Sequence, residues 1–332
     1  MKVGVALPHY DLLYPDGRDA DLDETVAIAR RVEALGYDSV WVSDHFFFDL
    51  SRYGGPARRV RGLEPVTTLA SIAVETERVR LGTMVLCEAF RHPPLLAKMA
   101  TTLDLLSNGR LELGMGAGWN EEEYREYGFH FGSTAERIAR LREAVDIVGG
   151  MLANERFTYE GRHYRVEDAP NLPRPAQQPR PPVWIGGKGG PKILRHVAEA
   201  ADGWNTVWRW TPEAYAERAH ALDEACERAG REPGSVRRSI GLLTVTGADH
   251  KDVEGWWRRV GERAPVDASG LSMDVYARES LVGTFEACIA RIKEFEALGV
   301  EHLICTFGVV PFSLGYEEQL EMFARDVLPA VR

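Results

Sequence analysis

Eight short, almost wholly apolar runs alternate with longer amphipathic segments along the 332 residues, which predicts a (β/α)8 TIM barrel of the α/β class. The apolar runs lack a two-residue period, as expected of strands with helices outside and packed side chains within. A third sign is a repeated tetrapeptide. Glu33-Ala34-Leu35-Gly36 precedes the second run and Glu296-Ala297-Leu298-Gly299 the eighth, the same helix end, glycine stop and strand entry used twice. The length suits one barrel domain over residues 1–332, with insertions at the C-terminal mouth and no linker dividing it.

In order, the predicted strands cover 1–8, 37–45, 79–87, 109–116, 182–187, 202–208, 238–246 and 300–308. Asp21 or Asp23 caps a first helix that ends at Leu35, where Gly36 supplies the left-handed stop. Further helices are expected near 65–76, 94–107, 135–152, 191–200, 212–229, 284–298 and 316–328. Segment 252–262, with its Trp256–Trp257 pair, reads either as a helix face or as a lid. Three stretches exceed ordinary connections: 46–64 with Tyr53-Gly54-Gly55-Pro56, the Pro-rich 153–181, and 247–283. All three are expected to build the mouth.

Composition bounds the function. With 45% hydrophobic and 27% charged residues, the chain reads as a soluble globular protein. A formal net charge of -10 disfavours nucleic acid as a partner, and the basic run Arg58, Arg59 and Arg61 reads as a solvated loop. Cys87, Cys226, Cys288 and Cys305 lack CxxC spacing and are expected to be buried thiols of a reducing compartment. No apolar run approaches a membrane span and the N-terminus lacks a secretory pattern, so a cytoplasmic location without membrane contact is expected.

Asp44-His45 follows Val40-Trp41-Val42 after Ser43, and at the C-terminal end of a barrel strand both side chains would enter the mouth. A histidine can move a proton near neutral pH and a carboxylate can orient it, although a strand-end pair can equally cap the next loop. Gly114-Met115-Gly116-Ala117-Gly118-Trp119-Asn120 closes the fourth strand. Its glycines suit either close approach of a planar ligand or a tight strand exit, and they miss the GxGxxG spacing. Gly186-Gly187-Lys188-Gly189-Gly190-Pro191-Lys192 opens a helix and reads as a phosphate cradle without being a Walker A sequence. His9, Glu88, Arg91 and His92 are further polar residues at strand ends. HExxH, HxxxH and GxSxG patterns are missing, so neither a metal site nor a serine hydrolase is expected.

Three segments together resemble the bacterial luciferase-like superfamily, and within it the coenzyme F420 (deazaflavin)-dependent oxidoreductases. They are Ser43-Asp44-His45-Phe46, residues 90–124, and residues 181–205, and the likeness extends over nearly the whole chain. The resemblance implies a flavin-type cofactor at the barrel mouth, F420 or alternatively FMN. It implies that His45 is the catalytic proton-transfer group and that Asp44 is catalytic and contacts the cofactor. Met84–Val85 would form a bulge with a non-proline cis peptide under the ring. Gly116, Ala117 and Gly118 would line the cofactor, and Gly186, Gly187, Lys188, Gly189 and Gly190 would lie near its phosphate. His9 and Trp119 are the candidates for the substrate pocket. Where the family's sugar-phosphate dehydrogenases carry glutamate and tryptophan, this chain has Trp119 and Asp49, which turns the reading away from sugar-phosphate chemistry.

The function expected is hydride transfer between F420 and a small organic molecule. The alternatives are a two-component monooxygenase fed reduced FMN by a separate reductase, and a non-catalytic flavin-binding barrel. A homodimer is expected from the resemblance.

Overall fold

The computed structural model describes residues 1–11, 13–14, 19, 21–53, 57–264 and 270–332. Gly54-Gly55-Pro56 of the first expected mouth loop and residues 265–269 of the third lie outside the described residues.

Eight parallel strands, each followed by a helix, give the (β/α)8 barrel. The strands are β1 (Lys2–Ala6), β2 (Ser39–Val42), β3 (Arg80–Thr83), β4 (Leu111–Gly116), β5 (Val183–Gly186), β6 (Gly203–Val207), β7 (Arg237–Gly247) and β8 (His302–Thr306). The helices are α1 (Leu22–Ala34), α2 (Pro65–Glu75), α3 (Pro93–Leu106), α4 (Thr134–Ala153), α5 (Pro191–Ala200), α6 (Pro212–Arg228), α7 (Phe285–Ala297) and α8 (Glu317–Asp326). No described helix is long and apolar enough to cross a membrane.

Local chemistry sets these boundaries. The Asp21 carboxylate caps α1 by accepting from the Asp23 and Glu24 amides. Glu64 caps α2 through the Thr67 amide at 2.7 Å, and Pro65 fills the first helical position, where no N–H is needed. The repeated tetrapeptide folds the same way twice. Gly36 and Gly299 adopt φ of +89° and +86°, and the next residues, Tyr37 and Val300, donate back to the Val32 and Phe295 carbonyls. A side chain at either glycine would strain this stop.

The Cα positions gather into two compact units. The first comprises Met1–Leu63, Thr206–His220 and Arg238–Arg332. Within it β1 pairs with β2 and β8, and β8 pairs with β7. The insertion after β2 forms a small antiparallel pair, Phe47–Asp49 with Arg59–Arg61. Segment 252–262 is a helix, His250–Glu262, capped by Asp249. Trp256 is buried in it against Tyr316, and Arg259 stacks on both rings.

The second unit comprises Glu64–Asn205 and Ala221–Arg237. Within it β4 pairs with β3 and β5, and β5 pairs with β6. The buried indole of Trp184 donates to Glu112 Oε2 at 2.7 Å, so its polar edge is satisfied inside an apolar layer.

One expectation is corrected here. The Pro-rich stretch 153–181 does not belong wholly to the mouth. It leaves the C-terminal end of α4, and in a βα unit the helix-to-strand connection lies at the opposite end of the strands. Gln177 accordingly bonds Asp104, Arg80 and the Leu111 carbonyl, where β3 and β4 begin. Only the hairpin Arg156–Glu160/Arg165–Pro170 reaches back, with Tyr164 donating to Glu88 just beyond β3.

Candidate active site

In the first unit β2 is buried at every position and delivers Ser43, Asp44 and His45 beyond its C-terminal end. Asp44 is 3% exposed, whereas His45 is half-buried. The preceding backbone is tied to β1 by His9. Its Nδ1 donates to the Leu7 carbonyl at 2.8 Å and its Nε2 accepts the Ser43 amide at 3.2 Å. His9 is fully buried, and desolvation lowers its pKa to about 4 against the lesser opposing effect of its backbone hydrogen bonds. The ring is therefore neutral and carries no exposed surface. The expectation that His9 lines a substrate pocket is replaced by a role as the pin joining β1 to the end of β2.

Tyr10 reinforces that pin, with its hydroxyl 2.6 Å from Ser43 Oγ. A Cβ on Gly62 would lie 2.4 Å from the Tyr10 ring and 2.5 Å from the His45 carbonyl oxygen. That glycine lets the return strand of the insertion pass close behind His45. Asp49 is partly exposed and accepts the Ser51 amide, a local turn that carries no apolar surface.

In the second unit β3 is interrupted at Met84–Val85, whose peptide is cis. The register shows the cause. Leu81 and Gly82 face Leu111 and Glu112, but Leu86 and Cys87 face Met115 and Gly116, so one extra residue is accommodated between the two pairings. Thr83 bridges the gap, donating to the Gly114 carbonyl and accepting the Gly114 amide. The Val85 side chain lies over two neighbouring strands. A Cβ on Gly116 would come within 2.5 Å of it, and one on Gly186 within 2.7 Å, while at Gly114 the Thr83 carbonyl is only 2.1 Å away. Gly114, Gly116 and Gly186 are thus bare because the bulge occupies the space their side chains would take. Met84 is buried and Val85 half-buried.

The other residues expected here fall into two groups. Ala117 accepts the Tyr124 hydroxyl through its carbonyl, and Gly118, at φ +68°, has that hydroxyl and Cys87 Sγ against it. Trp119, 46% exposed, projects beyond them. After β5, Gly187 is locked by its amide to Asn205 and by its carbonyl to the Trp204 indole. Lys188 and Gly190 are exposed, Gly189 is buried, and Gly190 begins α5 without a side-chain cap.

Sequence reasoning missed the group behind Glu88. Its carboxylate is buried, accepts Tyr164 at 2.8 Å and Arg140 at 3.2 Å, and burial pushes its pKa up despite both partners. Tyr164 lies 76 residues downstream of Glu88 on a polar hairpin, so no local pattern announces the contact. Arg91, by contrast, reaches back to the α2 cap Glu64, and the His92 ring packs edge-on against Tyr164.

The eight parallel strands with their helices define a protein of the α/β-barrel class. The chain belongs to the luciferase-like monooxygenase family, whose model matches residues 1–302. An F420-dependent glucose-6-phosphate dehydrogenase of Intrasporangium calvum is 32% identical over 335 residues, 94% of each chain. Its namesake from Amycolatopsis mediterranei is 30% identical over 331 residues, 93% of this chain and 94% of the relative. Among solved structures, an F420-dependent secondary alcohol dehydrogenase in complex with an F420-acetone adduct shares the fold. The TM-score is 0.79 at 21% identity, covering 100% of this chain and 99% of the other.

Proposed function

We propose that this chain is a coenzyme F420-dependent oxidoreductase acting on a small organic molecule, with His45 as its proton-transfer group. The observation that carries this is the half-buried His45 at the end of β2, set beside the buried Asp44 carboxylate on a backbone pinned by neutral His9. Coenzyme F420, when bound, supplies hydride transfer through its deazaflavin ring. His45 gives or takes the accompanying proton at Nε2 or Nδ1, and Asp44 orients that ring or balances its charge.

The second unit fits the cofactor in two ways. The half-buried Val85 side chain of the bulge offers an apolar surface. The first turn of α5, which opens at Gly190 without a side-chain cap and follows the exposed Lys188, suits a phosphate. Trp119 is exposed and carries a large apolar ring suited to a substrate's apolar body.

The chain works as a homodimer in the cytoplasm, supplied with reduced cofactor by a separate reductase. Exposed Val74 on α2 and Leu95 and Leu106 on α3 support the dimer, and four free buried cysteines support a reducing compartment.

The test is anaerobic. Protein mixed with reduced F420 and a panel of organic acceptors should reoxidise the coenzyme. Oxygen consumption with reduced FMN, and no reaction with F420, would replace this reading by monooxygenation.

A further inference from the structure

Bulky residues rarely accept a left-handed backbone, because the side chain crowds its own carbonyl. Three such residues stand at strand ends of the first unit. Trp208 and Arg209, directly after β6, have φ of +51° and +60°, and Phe312, beyond β8, has φ of +55°. Strained positions of this kind persist where the surroundings over-determine them, and they cluster at working sites.

The surroundings here are specific. The Trp208 amide donates to the Gly241 carbonyl at 2.8 Å, and the Trp210 amide to the Glu279 carbonyl at 2.7 Å. Arg209 turns outward, its Nε 2.6 Å from the Glu279 carboxylate and its guanidinium over the Tyr276 ring. Glu279 thereby holds the turn by both its backbone and its side chain, and it engages the cation that this strand end would otherwise offer to a ligand. Trp208 is left half-buried and leads an unbroken run of ring contacts. It meets Phe312 edge-on at 5.6 Å, Phe312 meets Tyr10 at 6.2 Å, Tyr10 meets Phe48 at 5.1 Å, and Phe48 meets His45 at 6.2 Å. The interior members are buried, and only the two ends, Trp208 and His45, are half-buried.

We infer that Trp208 is a specificity-determining residue and that the substrate is an uncharged molecule with an apolar or aryl body. This rests on the oxidoreductase reading above and narrows it. A sugar phosphate needs cations to bind its phosphate. Among the described residues that follow β1, β2, β6 and β8 up to the next helix, Arg209 beside Trp208 is held by Glu279, Arg61 by Asp11, and Arg59 lies over the Phe47 ring, while Arg52 and Arg58 are exposed on the 46–64 insertion. The half-buried Trp208 ring, backed by the buried Phe312 and Tyr10 rings, offers instead a face on which an apolar body loses water without leaving polar groups unpaired.

The experiment titrates the full-length protein, with and without coenzyme F420, with acetophenone and with glucose 6-phosphate, by calorimetry and ligand-observed NMR. Wild type is compared with Trp208→Ala and Trp208→Phe. Acetophenone should bind, lose about tenfold affinity in Trp208→Ala, and recover to within about threefold of wild type in Trp208→Phe. F420 affinity should stay within about twofold in both variants, which also reports an intact fold. Glucose 6-phosphate binding more tightly than acetophenone, or acetophenone affinity indifferent to Trp208→Ala, overturns the inference. Failure of F420 to bind wild type would instead remove the oxidoreductase reading. The acetophenone titration without cofactor then still decides the role of Trp208.

Discussion

In the first unit the strand ends carry reactive and aromatic side chains: Asp44 and His45 after β2, Trp208 after β6, Phe312 after β8. In the second unit they carry glycines and one valine: Gly114 and Gly116 on β4, Gly186 on β5, Val85 in the bulge of β3. One unit places polar and aromatic side chains at its strand ends, with the end of β2 held by a neutral histidine pin. The other removes side chains so that the bulge of β3 can pack over β4 and β5. A side chain can be exchanged while the backbone stays in place, but a backbone built around a bulge has no such tolerance. Substitutions in the first unit should therefore disturb reaction and recognition, and those in the second should disturb folding.

The largest effect is expected at His45. His45→Ala should lower turnover by about 10²–10⁴-fold, the usual share of general acid–base catalysis, with thermal stability nearly unchanged. A large loss of stability in that variant would break the contrast between the units. Next, Gly114→Ala forces a methyl group to within 2.1 Å of the Thr83 carbonyl. Backbone cannot step aside there, and denaturant titration should show a loss of about 3 kcal/mol or more.

His9 gives the first unit a pH signature. Its folded pKa is about 4 against 6.5 for the ordinary value, so between these values the unfolded chain binds the proton and the folded chain does not. Stability should fall by about 3 kcal/mol as pH drops through that window. His9→Asn should flatten this slope, which thermal melts from pH 7 to 4 would measure.

Gly116→Ala sharpens the picture further, because its obstacle is the Val85 side chain at 2.5 Å rather than backbone. It should cost about 2 kcal/mol alone, and Val85→Ala in the same chain should recover most of that. Smallest of all, Gly190→Ala meets nothing within 4 Å at an ordinary negative φ, and should change stability by less than about 0.5 kcal/mol.

Much of the fold was legible because barrel strands and their helices are written locally. Apolar runs marked all eight strands, Asp21 and Pro65 marked helix starts, and the repeated Glu-Ala-Leu-Gly marked two helix ends that close with matching geometry. The place of Asp44-His45 just beyond β2 was legible for the same reason, because an apolar run ends shortly before it.

What escaped is non-local. His9 looked like a mouth residue until its two backbone partners were seen, one of them 34 positions away. The glycines of β4 and β5 gave no hint that Val85 fills the space beside them, because that residue lies on another strand. Trp208 and Phe312 gave no signal at all, because the left-handed Trp208 is held by its amide hydrogen bond to the distant Gly241 carbonyl, and Phe312 packs against the distant Trp208 and Tyr10 rings. Stretch 153–181 was assigned to the mouth from its length, when its position after a helix would have placed most of it at the other end.

The most direct test of the central claim is a paired titration of one preparation with coenzyme F420 and with FMN. The account predicts that F420 fluorescence is quenched on binding at micromolar concentration and that FMN binds at least about tenfold more weakly, a difference of about 1.4 kcal/mol. Tight FMN binding with no response to F420 would contradict it.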